Sequence, residues 1–217
     1  MRTTTVLLIA FAAAAGQSMK MDPLPIALPK PLFEGTPLPT NVPNLEKPTN
    51  KPRPPFLAPA GTVNLALHKP VTASDPDPVI GRLEYITDGN KAGTDGTYVE
   101  LKPGVQSVVI DLEQKATIYA IMAWHYHKEA RSYAGVVVQT ADDPDFITNV
   151  QTVFNNDTAN ETGNGVGKNM RYVETNEGKL IDAKGVEGRY VRLFSNGSDK
   201  TPANHYVEVE VWGKPLK

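Results

Sequence analysis

The chain carries an oxygen-rich loop in which several side chains of one chemical kind lie close in sequence. The segment Tyr85–Glu100 reads YITDGNKAGTDGTYVE and contains two Asp-Gly turns. Hard cations such as Ca²⁺ take several carboxylate, amide and carbonyl oxygens as ligands, and glycine permits the sharp turns that such a site needs. The alternative is an Asx-type turn without a metal, because these are ordinary turn residues and the EF-hand pattern is not matched. The oxygen-bearing side chains of the loop are those of Asp88, Asn90, Thr94, Asp95 and Thr97.

A second group of reactive side chains follows a long apolar run. His125 and His127 are two residues apart, so on a strand their side chains share one face. With His205 or a carboxylate they could bind zinc, although packing is the commoner role and no third ligand has a fixed spacing. We favour sugar binding by His127, Arg131 and Tyr133, because sugars take planar charged groups for hydroxyl pairs and an aromatic ring for their C–H surface. A solvated strand end is the alternative.

Two carboxylates near the end of the chain resemble a catalytic pair. Glu208 and Glu210 are two residues apart within His205–Trp212, where apolar and polar residues alternate. Period-2 alternation predicts a strand with its valines on the buried face and both carboxylates on a solvated face. The sequence also lacks a phosphate loop, a G-x-S-x-G motif, an H-E-x-x-H motif and any cysteine. We therefore do not expect an enzyme.

Segments in which apolar and polar residues alternate recur along the last two thirds of the chain, and they must position these residues. Arg189–Ser195 precedes the final strand, and Ser107–Leu112 alternates in the same way. Ala116–His127 and Ala134–Thr140 are apolar, β-branched and without helix caps, so they are predicted to be central strands. Roughly eight short strands separated by turn signals predict an all-β fold, an antiparallel β-sandwich or jelly roll.

The first 61 residues differ from the rest. Residues 1–16 read MRTTTVLLIAFAAAAG, the layout of a signal peptide, which predicts a secreted, extracellular or periplasmic protein. Twelve of the 19 prolines fall within Met21–Pro59, so residues 17–61 are predicted to form a Pro-rich disordered linker. This linker is either a semi-rigid spacer that could engage a protein or cell-envelope partner, or a tail with no specific role. The globular domain is predicted to cover residues 62–214.

Composition restricts the partners. The formal net charge is -2 and no basic run is present, which argues against nucleic acid. The absence of cysteine excludes disulfides and a cysteine-linked lipid anchor. Beyond the first 16 residues no segment is apolar enough to enter a bilayer, so no membrane insertion is expected after cleavage.

Five motifs in order resemble one known family. NLALHKPVTAS (Asn64–Ser74), ITDGN, SVVIDL, GRYVRLFS and HYVEVEVWG resemble the discoidin domain, also called the coagulation factor 5/8 type C domain. This galactose-binding-like family includes carbohydrate-binding modules of secreted bacterial proteins. The resemblance covers Val63–Lys214 and implies an eight-stranded jelly roll with ligand sites in loops at one end. Two features depart from it: Tyr98 stands where the family usually has Trp, after a longer loop, and the terminal disulfide of animal members is absent.

The resemblance also implies two sets of site residues. In similar bacterial modules the Asp-Gly loop and a Glu of the last strand bind structural calcium, and that Glu corresponds to Glu208. The implied metal ligands are therefore Asp88, Asn90, Asp95, Thr97 and Glu208. Ligand residues in such modules cluster on loops like the one joining the closing strands, which adds Asn196, Asn204 and His205 to His127, Arg131 and Tyr133.

The resulting prediction is a secreted, non-catalytic carbohydrate-binding module stabilised by a structural calcium ion. The alternative is a structural or adhesion module that binds a protein or cell-envelope partner. A ring of aromatic, Arg and His side chains around a small pocket would favour a sugar, and a flat apolar patch would favour a protein.

Overall fold

The computed structural model describes residues 19–32, 42–47, 49 and 51–216. The predicted signal peptide, residues 1–16, lies outside the described residues. Among the described residues no helix is long and apolar enough to span a membrane, and the one helical element is a short 3-10 helix at Leu83–Thr87. The described strands are β1 (Met21–Pro23), β2 (Leu57–Pro59), β3 (Val63–Asn64), β4 (Val71–Ala73), β5 (Val99–Leu101), β6 (Gln106–Trp124), β7 (Ser132–Tyr133), β8 (Val137–Ala141), β9 (Gln151–Asn155), β10 (Tyr172–Val173), β11 (Lys179–Ser195), β12 (Asn204–Tyr206) and β13 (Glu208–Pro215).

Two long bent strands, β6 and β11, form the frame of the domain. They pair with each other along both of their halves, with register shifts between Asp182 and Val186 and between Gly188 and Tyr190. The first half of β6 also pairs with β4, and its second half pairs with β13. The second half of β11 pairs with β8, which pairs with β9. The long sheet is thereby divided into two half-sheets, β4-β6-β11-β8-β9 and β3-β13-β6-β11.

The bend explains why the sequence predicts two short strands, Ser107–Leu112 and Ala116–His127, where the structure has the single strand β6. Polar residues at 113–115 interrupt the apolar pattern of β6, and Glu113 has a positive φ of 63°. The chain turns there without leaving the sheet, because bulges bend a strand while its pairing continues on either side. All pairings between the described strands are antiparallel, and the all-β prediction is confirmed.

The main core lies between the two half-sheets. Val108 and Ile110 from the first half of β6 belong to the same buried cluster as Ile118 and Ile121 from its second half. Both halves therefore turn one apolar face toward a common interior, as in a β-sandwich.

The outer face of the second half-sheet is covered by the N-terminal strap, which we define as residues 20–32 and 51–60. In the strap β1 pairs with β2, and Leu24, Ile26 and Phe56 pack against Trp124 and Trp212 of the sheet. Arg53 donates hydrogen bonds to the carbonyls of residues 177 and 178, and Asn176 donates one to the carbonyl of residue 29.

The prediction of a disordered linker over residues 17–61 is wrong for the strap, residues 20–32 and 51–60, and the undescribed residues of that range leave it a prediction there. Proline prevents a long ladder, so β1 and β2 pair over only three residues. Apolar side chains between the prolines can still bury themselves against a sheet, and each such burial contributes about 1.5–3 kcal/mol when complete. The strap therefore belongs to the folded domain.

Candidate functional site

A cluster of aromatic, basic and acidic side chains lies where β5 and β12 meet the segment that follows β6. We call Tyr98, Glu100, Tyr126, Arg131 and His205 the Tyr98 cluster. The pairing of β12 with β5 places the histidine directly opposite Glu100. The two tyrosine rings meet edge to face with their centroids 5.1 Å apart, and the imidazole lies 5.5 Å from each of them. The guanidinium stacks over the Tyr126 ring at 4.2 Å.

A chain of hydrogen bonds fixes the polar members of the cluster. Arg131 Nη2 and Nε donate to Glu129 Oε1 at 2.6 and 3.1 Å, and its Nη1 lies 3.4 Å from His205 Nδ1. His205 Nε2 lies 2.8 Å from Glu100 Oε2. Since a guanidinium can only donate, Nδ1 accepts and the imidazole proton sits on Nε2, from which it is donated to Glu100. Burial and the neighbouring Arg131 charge lower the pKa of His205, although Glu100 opposes the shift, so the ring is neutral near pH 7.

The cluster presents both kinds of group that a polar ligand with apolar faces needs. Tyr98, Glu100 and Tyr126 are half-buried and Glu129 is exposed, whereas Arg131 and His205 lie beneath them. The surface thus offers two partly exposed tyrosine side chains beside carboxylate acceptors, on a rigid base. Among the described residues the positive charge of Arg131 is balanced by the carboxylates of Glu100 and Glu129.

The predicted ligand residues divide between this cluster and the interior. Arg131 and His205 come together as expected. Tyr133 is 1% exposed and stacks on His125 in the core at 4.5 Å, so it cannot offer its ring to a sugar. Asn204 is buried: its amide nitrogen donates to two backbone carbonyls and its oxygen accepts from the amide of Gly197.

The other two predicted ligand residues also make internal contacts. His127 is buried, with Nε2 2.9 Å from the carbonyl oxygen of Lys91. Gly93 lies so close that a Cβ there would come within 2.8 Å of the same Nε2, and its φ of +64° also favours glycine. Asn196 is half-buried and donates to Glu161 at 2.7 Å. Strand β6 ends at Trp124, so the expected alternation of His125 and His127 on one strand face does not apply.

The candidate metal ligands are likewise only partly brought together. Glu208 is fully buried, and its Oε2 accepts a hydrogen bond from the amide of Gly89 at 3.1 Å. Asp88 lies close enough to raise the pKa of Glu208. The side-chain oxygens of Asp88 and Asn90 accept from the backbone amides two residues ahead, as in Asx turns.

Two of the predicted metal ligands face other partners. Asp95 pairs with Lys128 at 3.0 Å and its side chain is 82% exposed. The Thr97 hydroxyl donates to the carbonyl oxygen of Thr94 at 2.8 Å. In the described part of the chain, no three His, Cys, Asp or Glu side chains converge into a metal-binding group. A cation beside Glu208 would therefore need amide, hydroxyl or backbone carbonyl oxygens in addition to the carboxylates of Glu208 and Asp88.

Both carboxylates of the last strand are buried, so the prediction of a solvated face is wrong. Glu210 pairs with Lys91 at 2.6 Å and accepts a hydrogen bond from Trp212 Nε1 at 2.9 Å. Lys91 also lies over the Trp124 ring at 5.1 Å. The 88–98 loop and the strap cover this face, which period-2 alternation alone could not reveal.

One oxygen of the Glu208 carboxylate finds no partner in the described part of the chain. Among the described residues Oε1 makes no hydrogen bond. Burial raises the pKa of Glu208 to about 9, with further upward contributions from Glu210 and Asp88, while the Gly89 amide and Lys91 lower it. A buried carboxylate in this position needs either a proton or a cation.

Sequence comparison identifies no relative: no family model matches the chain, and no curated protein does. Comparison with solved structures shows that it has the fold of discoidin-like, galactose-binding-fold carbohydrate-binding modules. A Streptococcus pneumoniae fucose binding module matches at a TM-score of 0.50 and 19% identity, over 70% of this chain and 96% of that one.

Two larger proteins contain the same fold as one part. A truncated AlyQ with CBM32 and alginate lyase domains matches at a TM-score of 0.51 and 20% identity, over 72% of this chain and 35% of that one. A family 89 glycoside hydrolase from Clostridium perfringens matches at 0.51 and 17% identity, over 71% of this chain and 15% of that one. At such identities the likeness establishes the fold.

Proposed function

We propose that this protein is a non-catalytic carbohydrate-binding module that contacts its ligand through the Tyr98 cluster. The observation that carries the proposal is the hydrogen-bonded chain from Glu129 through Arg131 and His205 to Glu100, set beneath two half-buried tyrosines. Solved neighbours described as a fucose binding module and as a CBM32-containing lyase support a sugar as ligand.

The charge balance of the cluster favours a neutral sugar. The carboxylates of Glu100 and Glu129 accept hydrogen bonds from hydroxyl groups, whereas they would repel the carboxylate of a uronic acid. A tyrosine ring packs against the C–H surface of the same sugar. The buried Arg131 and His205 hold these groups in place, so little ordering entropy is lost on binding.

We propose further that a structural calcium ion binds at the 88–98 loop. The unpartnered Glu208 Oε1 supports this, because a hard cation would satisfy it and favour its ionised form. Asp88 and Asn90 would supply further oxygens from the same loop. The ion would tie this loop to the last strand.

We also propose that the protein is exported. The apolar run and small residues within residues 1–16 support this, and amino-terminal sequencing of secreted protein should find the mature chain beginning near Gln17.

The binding proposal is tested by a glycan array followed by titration calorimetry with the best neutral glycan. Arg131→Ala and Tyr126→Ala should each weaken binding, the arginine change about ten- to a hundredfold. Arg82→Ala is the matched control, because Arg82 is exposed and stacks on Tyr85 at 5.3 Å outside the cluster. Absence of glycan binding by wild type, or equal binding by Arg131→Ala and Tyr126→Ala, would contradict the proposal and favour the adhesion alternative.

A further inference from the structure

The outer face of the first half-sheet carries an arginine held between two aromatic rings. Arg192 of β11 lies over the Phe146 ring at 3.9 Å and over the Phe194 ring at 4.8 Å. Gln139 of β8, its direct neighbour across the strand pairing, accepts from Arg192 Nη2 at 2.8 Å and from Nε at 3.3 Å. The guanidinium is therefore fixed in position on a rigid surface.

In the part of the chain that the structure describes, the Arg192 guanidinium has no acidic partner. Arg131 pairs with Glu129 and Arg189 pairs with Asp111, but within the described residues no carboxylate lies within salt-bridge distance of Arg192. Burial lowers the pKa of Arg192, and no nearby acid raises it again. The side chain still carries its charge at neutral pH, so a half-buried cation is left to be neutralised from outside.

A polar strip continues from Arg192 across the neighbouring strands. Gln139 Nε2 donates to Thr152 Oγ1 of β9 and to Asn164 Oδ1, both at 3.3 Å. Thr152 and Asn164 line a groove of about 300 Å³ between β9 and the 164–169 loop, and Lys168 is a further lining residue. The strip thus runs perpendicular to the strands, with a cation at each end and amide and hydroxyl groups between them.

We propose that this strip is a second binding site and that it takes a polyuronate, a polysaccharide that carries a carboxylate on each sugar. Arg192 and Lys168 would pair with carboxylates of different sugar units, while the Thr152 hydroxyl and the Asn164 amide bond to hydroxyls between them. Gln139 is buried and holds these groups in place. The planar guanidinium can hold a carboxylate through two parallel hydrogen bonds. No residue of the strip belongs to the Tyr98 cluster, so either site can exist without the other.

The test compares two polyuronates of different linkage, polygalacturonate and alginate, with fully methyl-esterified polygalacturonate in titration calorimetry. The ester keeps the sugar rings and removes the charge. At least one polyuronate should bind wild type, and the ester should bind at least about tenfold more weakly than the acid form, the loss expected for one charged hydrogen bond. Equal binding of acid and ester, or no binding of either polyuronate, would overturn the proposal.

Variants locate the site and separate it from the first one. Lys168→Gln should weaken polyuronate binding about tenfold, with an unchanged melting temperature because Lys168 is exposed. Arg192→Met keeps an apolar stem between the rings and should weaken binding further. Lys184→Gln is the matched exposed control and should have no effect, and neither should Arg131→Ala. A loss of affinity in Lys184→Gln equal to that in Lys168→Gln would show a nonspecific charge effect and refute the site.

Discussion

His205 owes its charge state to the two groups that flank its ring. Arg131 donates toward Nδ1 and Glu100 accepts from Nε2, so the neutral tautomer satisfies both contacts. A second proton would place a cation beside the guanidinium in a buried position. The histidine therefore acts as a neutral link between a donor and an acceptor, and acid should break the link.

This predicts a loss of stability in mild acid. The pKa of His205 in the folded chain lies below its ordinary value of 6.5. As the pH falls below 6.5, the unfolded chain therefore binds a proton at this histidine more readily than the folded chain does. The free energy of unfolding should then fall as the pH drops below about 6.5. Urea unfolding followed across this range checks it: His205→Gln should show a smaller fall than wild type, and an identical profile would contradict the assignment.

Glu208 makes an opposite prediction. Its folded pKa of about 9 lies above the ordinary value of 4.5, so without a cation its contribution to stability is greatest in acid and is lost as the pH rises toward 9. Calcium should reverse this loss, and binding at a hundredfold excess over Kd adds about 2.7 kcal/mol.

The measurement is the melting temperature with calcium and with chelator, at mildly acidic and mildly alkaline pH. The difference between calcium and chelator should widen as the pH rises in wild type and vanish in Glu208→Gln. Equal melts with calcium and chelator at alkaline pH would remove the calcium site.

At the scale of elements, the N-terminal strap shields the outer face of the second half-sheet from solvent. The outer face of β6 and β13 carries apolar side chains, among them Trp124 and Trp212. Leu24, Ile26 and Phe56 of the strap cover this face and bury them. Tyr98 packs on the same apolar cluster, so the strap also supports one wall of the candidate sugar site.

Removal of the strap should therefore destabilise the domain. A chain beginning at Gly61 loses three half-buried apolar side chains, each worth about half of the 1.5–3 kcal/mol of full burial. We expect its melting temperature to fall by about 5 °C or more, since 1 kcal/mol is about 2–4 °C for a domain of this size. Tryptophan emission should also shift to the red as Trp124 and Trp212 meet water. A chain beginning at Lys20 is the control, and equal melts for both chains would show that the strap adds nothing.

The sequence could predict features that depend on neighbouring residues, and it could not predict contacts between distant segments. Alternation in Ser107–Leu112 and His205–Trp212 predicted the strands, because the face that packs on the main core takes an apolar residue at every second position. The strap could not be found in this way, because its proline content indicates the absence of a ladder and says nothing about burial against another element. Arg131 and His205 were found by residue type, whereas Glu100 and Tyr126 join them only through the pairing of β5 with β12 and the end of β6 at Trp124.

At the scale of the whole molecule, the two proposed sites differ in charge. The Tyr98 cluster balances its arginine with carboxylates, whereas the strip from Arg192 to Lys168 leaves two cations open. A polymer that contains both neutral and acidic sugars could occupy the two sites at once, and such bivalent binding can exceed either affinity alone.

The bent strands have a consequence for how the molecule comes apart. Because β6 and β11 each belong to both half-sheets, neither half can open while the other stays closed, and unfolding should be a single cooperative event. Native-state hydrogen exchange would show this: amides before and after the bend of β6, such as those of Ile110 and Ile121, should share the protection of global unfolding. Strap amides, held by short pairings, should exchange sooner. Different protection on the two sides of the bend would mean that the two half-sheets unfold independently of each other.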